Sequence, residues 1–290
     1  MKTFKLYITE DEEQTPAYID EILRNYYEFT SNYTLQNNKV VTKAAIKIKD
    51  IHDKQLKIEI LSCKTFTVKD LDIISMYGFP IKCDELNINS CDKLKTFDFD
   101  NRDTKKIQIT KCDAIKKIKN INSINLIFLY IDSLKNLTNI DVQQCSSNAY
   151  VTVYNNKSLH LRDISIGNKI GTFSFISDLL HDFEECNINA TAGQFECKNL
   201  KTFNGLDKLE INKLILTDVN AQVKNLSELI TCSSVINDIS FDYDSGFLNM
   251  KQKTMELRDI IYKYVFMTSK QDHIMDFTVD LIDAGFEDQV

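Results

Sequence analysis

Two rhythms of apolar residues alternate along the chain, and the switches between them divide it into three parts. Near the start Phe4, Leu6 and Ile8 lie two apart, which predicts a short strand. Thr15 as N-cap and Pro16 at the first helical position then open a helix, along which Ile19, Ile22, Leu23 and Tyr26 recur three and four apart. From about residue 41 to about residue 246 short segments with apolar residues two apart recur between polar punctuation, as many short strands would. Beyond them Met255, Ile260, Ile261, Tyr264 and Val265, then Ile274, Met275, Phe277, Thr278, Leu281 and Ile282, return to helical spacing and stop near Gly285. The expected organisation is a strand-helix cap over 1–40, a repetitive strand-rich body over 41–246 and a helical cap over 247–290. The last of these also admits reading as a detachable partner-binding helix.

Self-comparison of the middle part shows what repeats. The stretch from Leu86 to Phe97 aligns without gaps on Ile107 to Ile118 and on Leu126 to Leu137, with the pattern L-x-I-x-x-C-x-x-L-x-x-L. Weaker copies stand at Ile58, Ile60, Cys63 and Phe66, and at Ile140, Val142 and Cys145. Cys197 to Phe203 echoes Cys91 to Phe97, and Leu209-Glu210-Ile211 resembles another strand start. L-x-I puts two side chains on one face of a strand, pointing inward. The next inward position, usually Cys, is a compact hydrophobe where the chain turns. Each repeat then buries its apolar face only by stacking on its neighbour.

These residues resemble the cysteine-containing class of leucine-rich repeats, whose pattern is L-x-L-x-x-C-x-x-L, over roughly two hundred residues. The resemblance implies an α/β fold, an irregular leucine-rich-repeat-like parallel β solenoid, and a surface that commonly binds proteins. Irregular repeats of this kind also look like those of phages and other AT-rich genomes. The spacing departs from the family: successive cysteine-equivalent positions 63, 91, 112, 131 and 145 are 28, 21, 19 and 14 apart. The longest gap holds Val68, Leu71 and Ile74 before Gly78 and Pro80, which predicts a convex-side helix. The shortest leave room only for extended returns, so a parallel β-helix stays open as the alternative.

Outward positions between the inward pairs are mostly polar, Asn87 and Gln108 among them, as a solvated sheet face requires. Ile127 and Leu129 break that rule, because residues 125–131 are apolar on both faces. Either a terminal helix covers this strand or an apolar patch marks a docking site. Tyr150 and Tyr154 flank the next strand, and aromatic residues are favoured hot-spot types. Ile127, Leu129, Tyr150, Tyr154, Gln108 and Asn87 are therefore the candidate partner-binding residues.

Composition narrows the chemistry. A formal net charge of -7 with both signs interspersed argues against nucleic acid and anionic membrane as partners. The amino terminus turns acidic at Asp11-Glu12-Glu13 before any apolar run, and no apolar stretch is long enough to span a bilayer, so a cytoplasmic location is expected. Eight cysteines in that setting should be reduced, buried and inert. No Cys-X-X-Cys pair exists, and the four histidines are scattered. Asp98, Asp100 and Asp103 lack the glycine and glutamate a calcium loop needs. With 7 glycines and no phosphate loop, nucleophile elbow or dinucleotide fingerprint, neither a cofactor nor a metal is expected. Abundant Lys, Asn and Ile with 2 Pro is the composition of an AT-rich genome such as a virus, phage, protist or low-GC bacterium, and the location would be host cytoplasm for a virus. The function expected is non-enzymatic protein recognition, as an adaptor or inhibitor. A structural subunit of a virion or homo-oligomer is the first alternative, and a β-helical polysaccharide-acting enzyme the second.

Overall fold

The computed structural model describes residues 21, 24, 27–29, 31–36, 39–42, 45–48, 60–71, 80–98, 103–219, 223–231, 238–243, 251–265, 267 and 269–290. It divides into two units, Met1–Leu159 and His160–Val290. The strand expected at Phe4 to Ile8 and the start of the following helix at Thr15 and Pro16 lie outside the described residues.

The first unit begins with short strands β1 (Tyr27–Phe29), β2 (Tyr33–Gln36), β3 (Lys39–Thr42) and β4 (Ala45–Ile48). β2 and β3 form an antiparallel hairpin that straddles residue 40, and β1 runs antiparallel to β4. From here the chain coils. β5 (Ile60–Lys69), β6 (Lys82–Asn89), β8 (Asp103–Thr110), β10 (Phe128–Asp132) and β12 (Tyr150–Tyr154) pair in parallel, in that order. Between them β7 (Thr96–Asp98), β9 (Lys117–Asn122) and β11 (Asn139–Gln144) build a second parallel sheet. The unit is thus a parallel β-solenoid. Among the described residues from Lys82 to Leu159 its returns are strands and turns. The convex-side helix expected over Val68, Leu71 and Ile74 does not include Val68, which is a strand residue in register with Ile88; Leu71 is buried just past the strand end, and Ile74 and Gly78 lie outside the described residues.

Period-two alternation explains the strands. In register across the first sheet, Phe66, Leu86, Ile107, Leu129 and Val151 follow one another, and Val68, Ile88, Ile109, Ile131 and Val153 form the row two residues further on. All ten are buried, and full burial of such an apolar side chain stabilises by about 1.5–3 kcal/mol. Just past each strand one residue turns left-handed: Asp70, Ser90, Lys111, Ser133 and Asn155, with φ between 49° and 57°. Short polar side chains tolerate that conformation best, and four of the five are Asp, Ser or Asn. The twist directs an N–H onto the next coil, as in Ser90 to Thr110 O at 3.1 Å and Lys111 to Asp132 O at 3.1 Å. The following inward residue opens a tight turn, closed by Leu94 N–H to Cys91 O, Ile115 to Cys112 O and Leu137 to Leu134 O.

Cys91, Cys112, Leu134 and Asn156 thus stand in equivalent positions. Cys91 N–H donates to Cys112 Sγ at 3.4 Å, and Leu134 N–H donates to Asn156 Oδ1 at 3.2 Å. This corrects the repeat register read from the sequence. Leu129, not Leu126, matches Ile107, a slip of three residues, and Leu134 rather than Ile131 takes the cysteine place. Ile140 and Val142 belong to β11 of the second sheet, with Cys145 just past its end, and Cys63 pairs with Cys83 within β5 and β6. Each coil carries two strand-then-turn motifs that look alike in sequence. Aligning one kind on the other produced the irregular spacings.

The second unit continues the same principle. β13 (Ile164–Ile166) precedes β14 (Ile170–Ile176), β15 (Asn189–Glu196), β16 (Glu210–Val219) and β17 (Asp238–Tyr243), and the last four pair in parallel. The echo at Cys197 is a true copy: Leu200 N–H closes on Cys197 O at 3.0 Å, as Leu94 closes on Cys91. In the first unit Glu21 and Arg24 are helical, on the stretch where a helix is expected; the second unit has α1 (Glu228–Thr231), α2 (Lys251–Val265) and α3 (Ile274–Asp283). Of the residues that set the helical spacing, Ile261, Tyr264 and Val265 of α2 and Phe277 and Leu281 of α3 are buried, together with Leu257, whereas Met255, Met275 and Ile282 are exposed. Gly285, at φ 78°, ends α3 in the left-handed conformation.

Candidate functional site

The outer face of the first sheet is built by the same alternation that fills the interior. In β6, β8, β10 and β12 the residues between the buried pairs point outward and align in rows across the strands. One row is Glu85, Lys106, Phe128 and Tyr150; the next is Asn87, Gln108, Tyr130 and Thr152; the third is Asn89, Thr110, Asp132 and Tyr154. Neighbouring strands lie about 4.8 Å apart, so side chains along a row touch or nearly touch.

The rows change character from one edge to the other. On β6 and β8 the face is polar: Lys106 Nζ meets Glu85 Oε1 at 3.0 Å, and Asn89 donates to the Thr110 hydroxyl. On β10 and β12 it turns aromatic. The Phe128 and Tyr130 rings stack 6.2 Å apart, within 3° of parallel, and Tyr150 is 57 % exposed. Burial, then the charges of Asp132 and Tyr154, raise the Tyr130 phenol. A cavity of about 420 Å³ lies where the two halves meet. Ile127, Phe128 and Tyr150 supply its apolar wall, Asn87, Gln108 and Asn148 three carboxamides, and Glu85 with Lys106 a neutralised ion pair.

Of the six candidate residues, Asn87, Gln108, Ile127 and Tyr150 come together around this cavity. Tyr154 lies on the same face two rows further along, half-buried. Leu129 does not belong: it is fully buried in the interior column, because the outward residues of β10 are Phe128 and Tyr130. Those two aromatic residues escaped the sequence reading through the register slip. The available signal was Ser133-Leu134-Lys135-Asn136-Leu137, which aligns on Ser90-Cys91-Asp92-Lys93-Leu94 and sets the strand frame.

The chemistry of the face is that of contact. Among the described residues no cluster of three or more His, Cys, Asp and Glu is arranged to hold a metal ion, Asp103 included. The seven described cysteines are unbridged and buried. His181 lies against Asn199 O and His273 against Asp276, both remote from this face along the chain. No described helix is long and apolar enough to cross a membrane. Comparison with protein-family models, with curated proteins and with solved structures finds no match.

Proposed function

We propose that this chain is a non-enzymatic recognition module, an adaptor or inhibitor, that grips a protein partner on the outer face of the first-unit sheet. The carrying observation is the aromatic group Phe128, Tyr130 and Tyr150 beside the carboxamide-lined cavity. Aromatic side chains give large contact area at low conformational cost, and a polar rim around an apolar centre is the anatomy of a binding hot spot. The carboxamides of Asn87, Gln108 and Asn148 offer both donors and acceptors, which suits a peptide segment with an apolar side chain for the cavity and main-chain groups for the rim. The steps of 20, 21, 22 and 22 residues between Phe66, Leu86, Ile107, Leu129 and Val151 support placing the coil near the leucine-rich repeats. Its strand returns are the point of departure from them.

The test is affinity capture with mass spectrometry from the native cell, comparing the wild-type chain with Ile127→Asp/Tyr150→Asp. Both positions are exposed, at 43 % and 57 %, so thermal unfolding should be unchanged while capture of the specific partner is lost. An unaltered set of captured proteins would overturn the reading. Self-association by size exclusion that the double variant abolishes would replace it with an assembly role, and release of sugar from a polysaccharide by the wild-type chain would replace it with an enzymatic one.

A further inference from the structure

The second unit carries a surface of a different kind on α3. One side of this helix is anchored: Phe277 and Leu281 are fully buried, and the Phe277 ring meets Tyr264 edge-on at 5.3 Å. Asp280 is held by two groups of α2, the Lys263 ammonium at 2.6 Å and the Tyr264 hydroxyl at 2.7 Å. The opposite side is apolar and bare. Met275, Val279 and Ile282 are 75 %, 51 % and 49 % exposed, and their spacing of four and then three residues places them in one stripe down the helix.

Charge decides what fits the stripe. Asp276 and Asp283, seven residues apart, share one edge of it, and Asp272, Glu287 and Asp288 are exposed just before and after the helix. Among the described residues, Asp280 alone of these carboxylates has an ammonium partner, and that one comes from α2. His273 Nδ1 lies 3.1 Å from Asp276. A second copy of this chain would bring the same carboxylates face to face, and an anionic lipid surface would meet them with its own charge; like charges across a contact cost affinity.

We infer that the exposed face of α3 docks a basic amphipathic helix of a protein partner, whose apolar residues cover Met275, Val279 and Ile282 while its lysines or arginines meet Asp276 and Asp283. Helix-on-helix contact along such a stripe reuses the packing by which α3 itself is held. The inference depends on nothing in the first unit and stands or falls apart from the sheet-face reading.

The experiment uses the whole chain and a fluorescent synthetic peptide of leucine and lysine, about 20 residues long and patterned for one apolar helical face, with binding followed by anisotropy. The peptide should bind, and rising salt should weaken it. Met275→Gln/Val279→Gln/Ile282→Gln should lower affinity by about tenfold or more. Asp276→Asn/Asp283→Asn should cost several-fold and remove much of the salt dependence. An unchanged thermal unfolding midpoint separates these losses from misfolding. Equal binding by the triple variant, equal binding of a leucine-glutamate peptide of the same pattern, or equal binding of a scrambled leucine-lysine peptide would each overturn the inference. So would sedimentation showing a dimer that the triple variant breaks, or flotation of the wild-type chain with phosphatidylserine vesicles.

Discussion

The two units enclose their coils by different means. In the first, Leu86, Ile107, Leu129 and Val151 succeed one another in register, each an aliphatic side chain close in size to the last. In the second, the corresponding step runs from Phe173 to Gly193 to Leu214, with Phe175, Phe195 and Leu216 beside it. There the rings interlock: Phe183 meets Phe195 edge-on at 5.2 Å and stacks on Phe203 at 6.3 Å. Gly193 is the complement of those rings, because a Cβ there would come within 2.5 Å of Ile211 Cδ1 and 2.9 Å of Phe195 Cε2. The difference teaches that a solenoid conserves the volume enclosed by a turn rather than the residue at each position. A uniform ladder and a mixture of large and absent side chains fill the same kind of space.

The largest effect should come from breaking the uniform ladder. Leu129→Asp puts an unpaired carboxylate into a fully buried column and should cost about 4 kcal/mol or more, enough to unfold the first unit in mild urea. Tyr150→Asp, on the outer face of the adjacent strand, should shift the urea midpoint by no more than about 0.5 kcal/mol. Similar costs for the two would refute the assignment of inside and outside in β10 and β12.

A smaller effect should follow from filling the gap in the second unit. Gly193→Ala should destabilise by about 1–3 kcal/mol through overpacking. Ile211→Val removes the methyl nearest that site and alone should cost about 1 kcal/mol. Combined, the two should cost clearly less than their sum, because each relieves the other. Additive costs by chemical denaturation would show that the two sites do not share the space.

The same contrast explains what was legible beforehand. The solenoid could be read because period-two pairs such as Leu86/Ile88 and Ile107/Ile109 recur with little change, and α2 and α3 because their buried residues keep helical spacing. The frame of the third coil could not. Six of the seven residues 125–131 are apolar because Ile127, Phe128 and Tyr130 face outward between the buried ones, and an apolar outer face erases the alternation that marks a strand's inner side. Cysteine misled as well, since Cys91 and Cys112 share one column, Cys63 and Cys83 another, and Asn156 fills the first column's last place with an amide that accepts the Leu134 N–H. The cavity needed the frame: Asn87, Gln108, Ile127 and Tyr150 were found because their exposure survives a slip of register, and Phe128 was lost because its did not.

The smallest effect concerns the thiols, which also differ between the units. In the first, Cys63 with Cys83 and Cys91 with Cys112 form hydrogen-bonded pairs, and the bond to Cys91, then burial, raise the Cys112 thiol. In the second, the Cys186 and Cys197 thiols donate to main-chain carbonyls: burial pushes Cys186 up to about 12, and burial, then Glu196 and Asp218, raise Cys197. An unfolded chain releases these protons near the ordinary thiol value of 9.0, whereas the folded chain holds them. Above that pH the unfolded state binds fewer protons than the native one, so native stability should fall as pH rises from about 9 towards 12 and be insensitive to these groups below it. Urea midpoints between pH 7 and pH 10.5 should therefore decline more steeply for the wild-type chain than for Cys186→Ala/Cys197→Ala, after allowance for the variant's lower stability at pH 7. Parallel declines would mean that these two thiols ionise as readily in the folded chain as in the unfolded one, and that the phenylalanine-filled interior does not exclude charge as the aliphatic one does.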